Sequence, residues 1–199
     1  MARNPDGTRF AIKRDRVLRA AAHCFNQKGY SGTSLKDVAA MLGLTDPALY
    51  YYVRNKEELV YRCYLRAADV GSEAMNRAIA EGGSGLDQLR AYLRYHVGFM
   101  VGDRGPIAIL SEIPSLEPPH REEILKLSRV HSRKFEAILE RGIEDGSIAC
   151  PDVRMTGNAV MGAINWIPKW FHGDAKLAAR IASEFPEILS RGLAARKRP

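Results

Sequence analysis

The stretch from Thr33 to Lys56, TSLKDVAAMLGLTDPALYYYVRNK, leaves little choice of local fold. Leu35, Val38, Ala39 and Leu42 recur at the i, i+3, i+4, i+7 spacing of one helical face. Ser34 stands before them, with Asp37 three residues further on, which is a capping-box pattern. Gly43 follows and suits the left-handed backbone that ends a helix. Thr45 is then placed to cap a second helix, whose first turn tolerates Pro47. Asn55 and Glu58 repeat the cap pattern for a third helix. Helix, glycine turn and helix within about twenty residues is the layout that sets a helix into the DNA major groove.

At about 100° per residue the second helix sorts into faces. Leu49 and Val53 fall on the side that packs inward, while Pro47 and Tyr51 point away from it and Ala48 and Tyr50 flank them. The outward face is small and apolar, with two phenols and no long charged chain. Such a face lies close to base edges and touches thymine methyls. The competing reading is an ordinary helical hairpin with half-buried tyrosines.

The wording of these residues decides between the two. GTSLKDVAAMLGLTDPALYYYVRNKEEL closely resembles the DNA-binding signature of TetR-family repressors, through Gly32, Thr33, Gly43, Leu44, Thr45, Leu49, Tyr50, Lys56, Glu57 and Leu59. The resemblance spans roughly residues 9 to 65. It implies a three-helix DNA-binding domain, a helical second domain, a dimer and a small-molecule effector. Val53 departs from the usual Phe, which touches packing only. Asp46 and Pro47 replace a basic or small pair, which leaves the base contacts open. The DNA-binding set expected is Thr33, Ser34 and Lys36 at the first helix, with Thr45, Asp46, Pro47, Ala48, Tyr50 and Tyr51 on or beside the second. Lys56, at the start of the next helix, is expected to meet a phosphate as its family counterpart does.

Charge agrees with that end of the chain. The formal net charge is +7 and the pI about 9.4. Before residue 37, eight basic side chains (Arg3, Arg9, Lys13, Arg14, Arg16, Arg19, Lys28 and Lys36) stand against two acidic ones, Asp6 and Asp15. This is the electrostatic footprint of nucleic-acid binding. A merely solvated basic face, or one that rests on a membrane surface, is the alternative. Cys24, Cys63 and Cys150 are odd in number and far apart, which fits reduced thiols in a cytoplasmic protein. MARNPDGTRF has no apolar core of a secretory signal. The longest weakly polar run, Ala159 to Pro168, is too short to span a bilayer, so no membrane role is expected.

The rest of the chain reads as helix throughout, an all-α fold. A first helix is expected from about Arg9 to Lys28, with Leu18, Ala21, Ala22 and Phe25 inward. A long one runs from Lys56 to about Ile79 and breaks at EGGSG. Further helices are expected over Leu86–Val101, Ile107–Ile113, Arg121–Glu144, Val153–Phe171 and Ala175–Ala195, with Pro186 kinking or interrupting the last. In the Arg121–Glu144 helix the inward set is Ile124, Leu127, His131, Phe135, Ile138 and Leu139. The domains expected are residues 1–55 for DNA binding and 56–199 for ligand binding and dimerisation.

No catalytic motif, phosphate-binding loop or metal-ligand spacing is present, and no cofactor is expected; His23, His96, His120, His131 and His172 are scattered. A small helical enzyme would require a constellation that the sequence does not contain. Gly157, Ala159, Gly162 and Ala163 allow close approach of partner helices, which with the resemblance points to a homodimer on a palindromic operator. Phe99, Met100, Leu110, Phe135, Trp166 and Trp170 offer enough apolar surface to line an effector cavity. His96, His131 and Asn165 are placed to orient a carbonyl or hydroxyl in it. The segment GAINWIPKWFHG resembles TetR-family members that respond to acyl or steroid coenzyme A thioesters. That implies an apolar or coenzyme A thioester ligand, its phosphates held outside near Arg104 and Lys169. The tryptophans serve equally as core or interface residues.

Overall fold

The computed structural model describes residues 5–102, 113 and 116–195, with side chains from residue 13 onward. Among these residues the helices are α1 (Pro5–Gly32), α2 (Leu35–Leu42), α3 (Asp46–Tyr50), α4 (Lys56–Glu81), α5 (Gly85–Val101), α6 (Pro118–Glu144), α7 (Val153–Asn165), α8 (Ile167–Trp170) and α9 (Ala175–Arg191). An isolated antiparallel bridge joins Ile148 to Ala194. The helix expected over 107–113 lies almost wholly outside the described residues.

Contacts divide the chain into two units. The first is Met1–Ala67 with Pro106–Ile124, and the second is Ala68–Gly105 with Leu125–Pro199. The two contact units therefore part inside α4, after Ala67. The physical reason is burial: Leu59, Val60, Cys63 and Tyr64 of α4 close the core formed by Val17, Leu18, Ala21, Ala22 and Phe25 of α1, Val38 and Ala39 of α2, and Leu49. The start of α6 joins this unit through side chains at its own end. Tyr61 Oη donates to Glu123 Oε2 at 2.5 Å and its ring stacks on His120 at 3.8 Å, while His120 Nδ1 lies 2.9 Å from Glu57 Oε1.

Within this unit the local signals act as read. Gly29, at φ 71, interrupts α1 where the helix was expected to stop. Ser34 and Asp37 complete the capping box of α2, and Lys28 Nζ reaches Asp37 Oδ1 at 2.6 Å, tying α1 to α2. The Lys28 ammonium and the Ser34 donors hold the Asp37 carboxyl well below the usual range. Gly43 takes φ 65 and its N–H meets the Ala39 and Ala40 carbonyls.

In the second unit, Ser84 and Asp87 form a second capping box at the start of α5. There α5 crosses α6 glycine on glycine: a Cβ on Gly85 would lie 2.2 Å from the backbone nitrogen of Gly142. Gly85 N–H donates to Asp145 Oδ2 at 2.7 Å. The α6 stripe is inward at Phe135, Ile138 and Leu139, but Leu127 is exposed. It lies beyond Ile124, the last α6 residue of the first unit. The single helix expected over 153–171 is two: α7 ends at Asn165 and α8 begins at Ile167. Pro168 has no N–H, and its ring displaces the carbonyl four residues back. Pro186 does not interrupt α9, which runs on to Arg191 rather than Ala195. The last residues turn away to pair with the 147–149 segment, where Ala149 N–H donates to Leu193 O at 2.9 Å.

The core of the second unit contains two imidazoles. Burial, with the neighbouring His131 adding to it, pulls the fully enclosed His96 down from 6.5 to about 3. Burial, and then Lys134, lowers His131. A base whose folded value is depressed is neutral in the fold while the unfolded chain still takes up a proton. The stability it supports is therefore complete above the unfolded value and is lost as pH falls below it. The thermal midpoint should hold from pH 8 to 7 and decline from about pH 6.5 towards 5, with His96 contributing about 1.4 kcal/mol per pH unit. Calorimetry of His96→Asn against the parent chain checks this: the variant should show a shallower decline, and an equal slope would contradict it.

Candidate functional site

Thr33 and Ser34 connect α1 to α2, and they do different work. Thr33 is only 3% exposed, and its hydroxyl donates to the Gly29 carbonyl at 2.8 Å. Its side chain holds the end of α1 against the start of α2. Ser34 and Lys36 are exposed.

The short helix α3 follows the left-handed Gly43. Leu49 and Val53 are buried beneath it, whereas Tyr50 and Tyr51 are 55% and 73% exposed. Pro47 is exposed and Asp46 and Ala48 are half-buried, so the outward face is the one the spacing indicated. The Tyr51 ring meets Tyr52 edge-on at 5.4 Å. One local expectation fails: Thr45 is the N-cap, but its side chain makes no capping hydrogen bond. A cap accepts from the second or third helical N–H, and Pro47 removes the first of these donors. Thr45 remains exposed.

Between α2 and α3 lies a cleft of about 430 Å³, lined by Ser31, Thr33, Ser34, Leu35, Lys36, Asp46, Leu49, Tyr50 and Lys56. Six of the residues picked from the sequence thus share one concavity, with Lys36 and Lys56 supplying positive charge and Asp46 negative. Lys56 is the first residue of α4. Its Nζ stands 4.1 Å over the centroid of Tyr30, which stacks on the buried Phe25 at 6.2 Å. The third cap forms in part as read: Asn55 Oδ1 accepts from Glu58 N–H at 2.7 Å, but Glu58 Oε2 accepts from the N–H of Arg54 at 2.6 Å rather than from that of Asn55. Tyr30 and Ser31 were missed in the sequence. Neither belongs to a motif, and only the α1 bend at Gly29 brings them beside Lys56 and Ser34.

The residues proposed for an effector separate into two groups in the second unit. His96 and His131 converge on Tyr92, whose hydroxyl lies 2.9 Å from His131 Nε2 and 3.3 Å from His96 Nδ1, and donates to Met161 Sδ at 3.4 Å. Phe135 joins them, with its ring 5.2 Å from that of Tyr92. Met100 is buried, while Phe99 packs beside Tyr95 at 6.1 Å and under Arg77 at 5.1 Å. Trp166 and Trp170 do not join the Tyr92 group: they are 60% and 38% exposed, because Pro168 breaks the helix and Ile167 takes the inward position. Trp170 instead contacts Phe185 at 5.9 Å, and Asn165 ends α7 half-buried. Leu110 and Arg104 lie outside the described residues. Tyr92 was overlooked although it precedes His96 by one helical turn, a spacing that puts both on one face.

Other chemistry finds little support. Cys24 and Cys63 are buried, and burial pushes the Cys63 thiol up to about 12. Among the described residues no group of three or more His, Cys, Asp or Glu side chains is placed to hold a metal ion. No described helix is long and apolar enough to cross a membrane.

Comparison with known proteins agrees with this geometry. Residues 17–63 match the model of bacterial regulatory proteins of the tetR family, and residues 82–193 match the tetracyclin repressor-like C-terminal domain. The fatty acid metabolism regulator protein of Bacillus subtilis (strain 168) is 22% identical over 182 residues, 89% of this chain and 93% of that one. The crystal structure of the TetR-family regulator PfmR from Thermus thermophilus is 32% identical, covers 92% of this chain and 100% of its own, and superposes with a TM-score of 0.71. AibR, solved in complex with isovaleryl coenzyme A and operator DNA, is 27% identical over 88% of this chain and 97% of that one, with a TM-score of 0.68. The chain belongs to the TetR family of bacterial regulatory proteins, DNA-binding transcription regulators whose members bind operator DNA as dimers.

Proposed function

We propose that this regulator is a cytoplasmic repressor that holds a palindromic operator as a dimer and leaves it when an apolar acyl-coenzyme A thioester binds the second unit. The observation that carries the DNA-binding part is the α2–α3 cleft, where Lys36, Lys56 and Ser34 surround the exposed face of α3. In this reading Ser34, Lys36 and Lys56 hold phosphates, Thr33 positions α2, and Thr45, Asp46, Pro47, Ala48, Tyr50 and Tyr51 face the bases or the adjoining backbone. Asp46 repels phosphate but accepts from a cytosine amino group. For the dimer, the support is apolar surface on the C-terminal helices: Met155 on α7, Trp166, and Ile188 on α9 are exposed, and Gly162 stands open.

For the effector, the support is the mixed polar and apolar cluster around Tyr92, together with the isovaleryl coenzyme A bound by AibR and the fatty-acid role in the name of the Bacillus relative. The ligand shifts the balance only by binding the DNA-incompetent state more tightly than the competent one. The charged nucleotide of coenzyme A stays at the surface, where Lys169 stands in sequence between Trp166 and Trp170.

Three measurements test this function. Sequencing DNA fragments selected by the purified protein should return a palindrome, and Lys56→Ala should then weaken binding to all sequences alike while lowering the salt slope by about one unit. A loss confined to one operator contradicts the phosphate role. Asp46→Ala and Tyr51→Ala should each alter the selected motif, and an unchanged motif in both removes them from base recognition. Finally, operator release and thermal shift with acyl-coenzyme A, free fatty acid and cationic drugs in parallel should single out the thioesters. Release by a cationic drug alone eliminates the thioester class and leaves the repressor standing.

A further inference from the structure

The cluster at the centre of the second unit asks why a core would contain a hydroxyl and two imidazoles. Tyr92 is fully enclosed, yet its hydroxyl contacts His131 Nε2 from α6, His96 Nδ1 one turn away on α5, and Met161 Sδ from α7. Burying such groups is costly wherever a partner is lacking. A phenylalanine and two leucines would fill the space without that liability. Helix α4 also approaches the pair through a glycine: a Cβ on Gly71 would lie 3.2 Å from His131 Cε1 and 3.6 Å from His96 Cε1. Among the described hydrogen bonds of these three side chains, none goes to a carboxylate or a guanidinium.

Resting on the effector reading above, we infer that Tyr92, braced by His131 and His96, recognises the neutral carbonyl oxygen of the effector's thioester and discriminates against a free carboxylate. A phenol has one proton to donate, and a neutral imidazole presents one donor and one acceptor nitrogen. With an imidazole on either side, the hydroxyl accepts from one while its proton is given elsewhere. Sulfur is the weakest acceptor in the cluster, and methionine is the most adaptable side chain to displace. A carbonyl oxygen taking the place of Met161 Sδ therefore gains a better acceptor with little loss. No proton leaves the tyrosine, and no charge is created. A carboxylate would bring a net charge into an enclosed site whose nearest named cation, Lys134, acts on His131 from the surface, where its ammonium meets Asn76 Oδ1, and that costs far more than a carbonyl.

The test uses the full-length protein on its selected operator, with octanoyl-coenzyme A, the thioether S-octyl-coenzyme A and octanoate, and the palmitoyl equivalents of each. The thioether keeps chain and nucleotide and replaces only C=O by CH2. For the parent protein, half-release should need at least about tenfold more thioether than thioester, the loss of one good hydrogen bond, and the free acids should be inactive. Tyr92→Phe keeps the ring and should bring the thioester response to that of the thioether. Equal potency of thioester and thioether on the parent protein overturns the inference without any variant. So does a Tyr92→Phe protein that retains the ratio, or a free acid as potent as its thioester. Failure of every coenzyme A compound to release the parent protein overturns the effector class and this assignment together, whereas release by both classes equally overturns this assignment alone.

Discussion

A five-residue helix has no stability of its own, so α3 exists only because Leu49 and Val53 are buried against the rest of the first unit. Every outward residue of the proposed DNA-facing surface depends on those two side chains. Their burial fixes the rotation of α3, and rotation alone decides that Tyr51 and Pro47 face solvent. Gly43 and the Ser34–Asp37 box then fix where α2 stops and starts, with the cap contributing about 0.5–2 kcal/mol. The Lys28–Asp37 pair is exposed and adds orientation more than stability.

The two units handle charge in opposite ways. The first collects cations on an open surface, where water screens them and where a polyanion exchanges counterions for lysines. The second keeps its titratable core groups neutral by enclosing them, and satisfies them with one another. A ligand for the first unit is therefore selected by charge and groove shape. A ligand at the proposed Tyr92 site would have to match hydrogen-bond polarity, because the hydroxyl and imidazoles of that cluster carry no charge of their own.

What the sequence made legible was what depends on neighbours within two helical turns. The Ser34–Asp37 capping box, the left-handed Gly43, the inner face of α1 and the outward face of α3 all follow from local spacing. The tertiary assignments were harder. That α4 divides between units after Ala67 depends on which core its first turns close, and periodicity is blind to that. Leu127 fits the α6 stripe by spacing but stands exposed. Trp166 looked inward until Pro168 turned the chain. Thr45 had the right chemistry for a cap, but the proline two residues on removed one of the two N–H donors a cap can use. Tyr92 was passed over because tyrosine on an apolar face is ordinary until its hydroxyl is seen between two imidazoles.

The glycine crossing at the start of α5 has a mechanical consequence. Because Gly85 and Gly142 touch backbone to backbone, the two helices cannot slide there without collision, while glycine presents no side chain to resist rotation. The crossing works as a pivot. Helix α5 extends 17 residues from it, or about 25 Å at 1.5 Å per residue. A rotation of about 5° at the crossing moves its far end by about 2 Å. His96 and Met100 sit towards that far end, so whatever wedges the Tyr92 cluster apart acts on the long arm of a lever whose fulcrum is a pair of absent side chains.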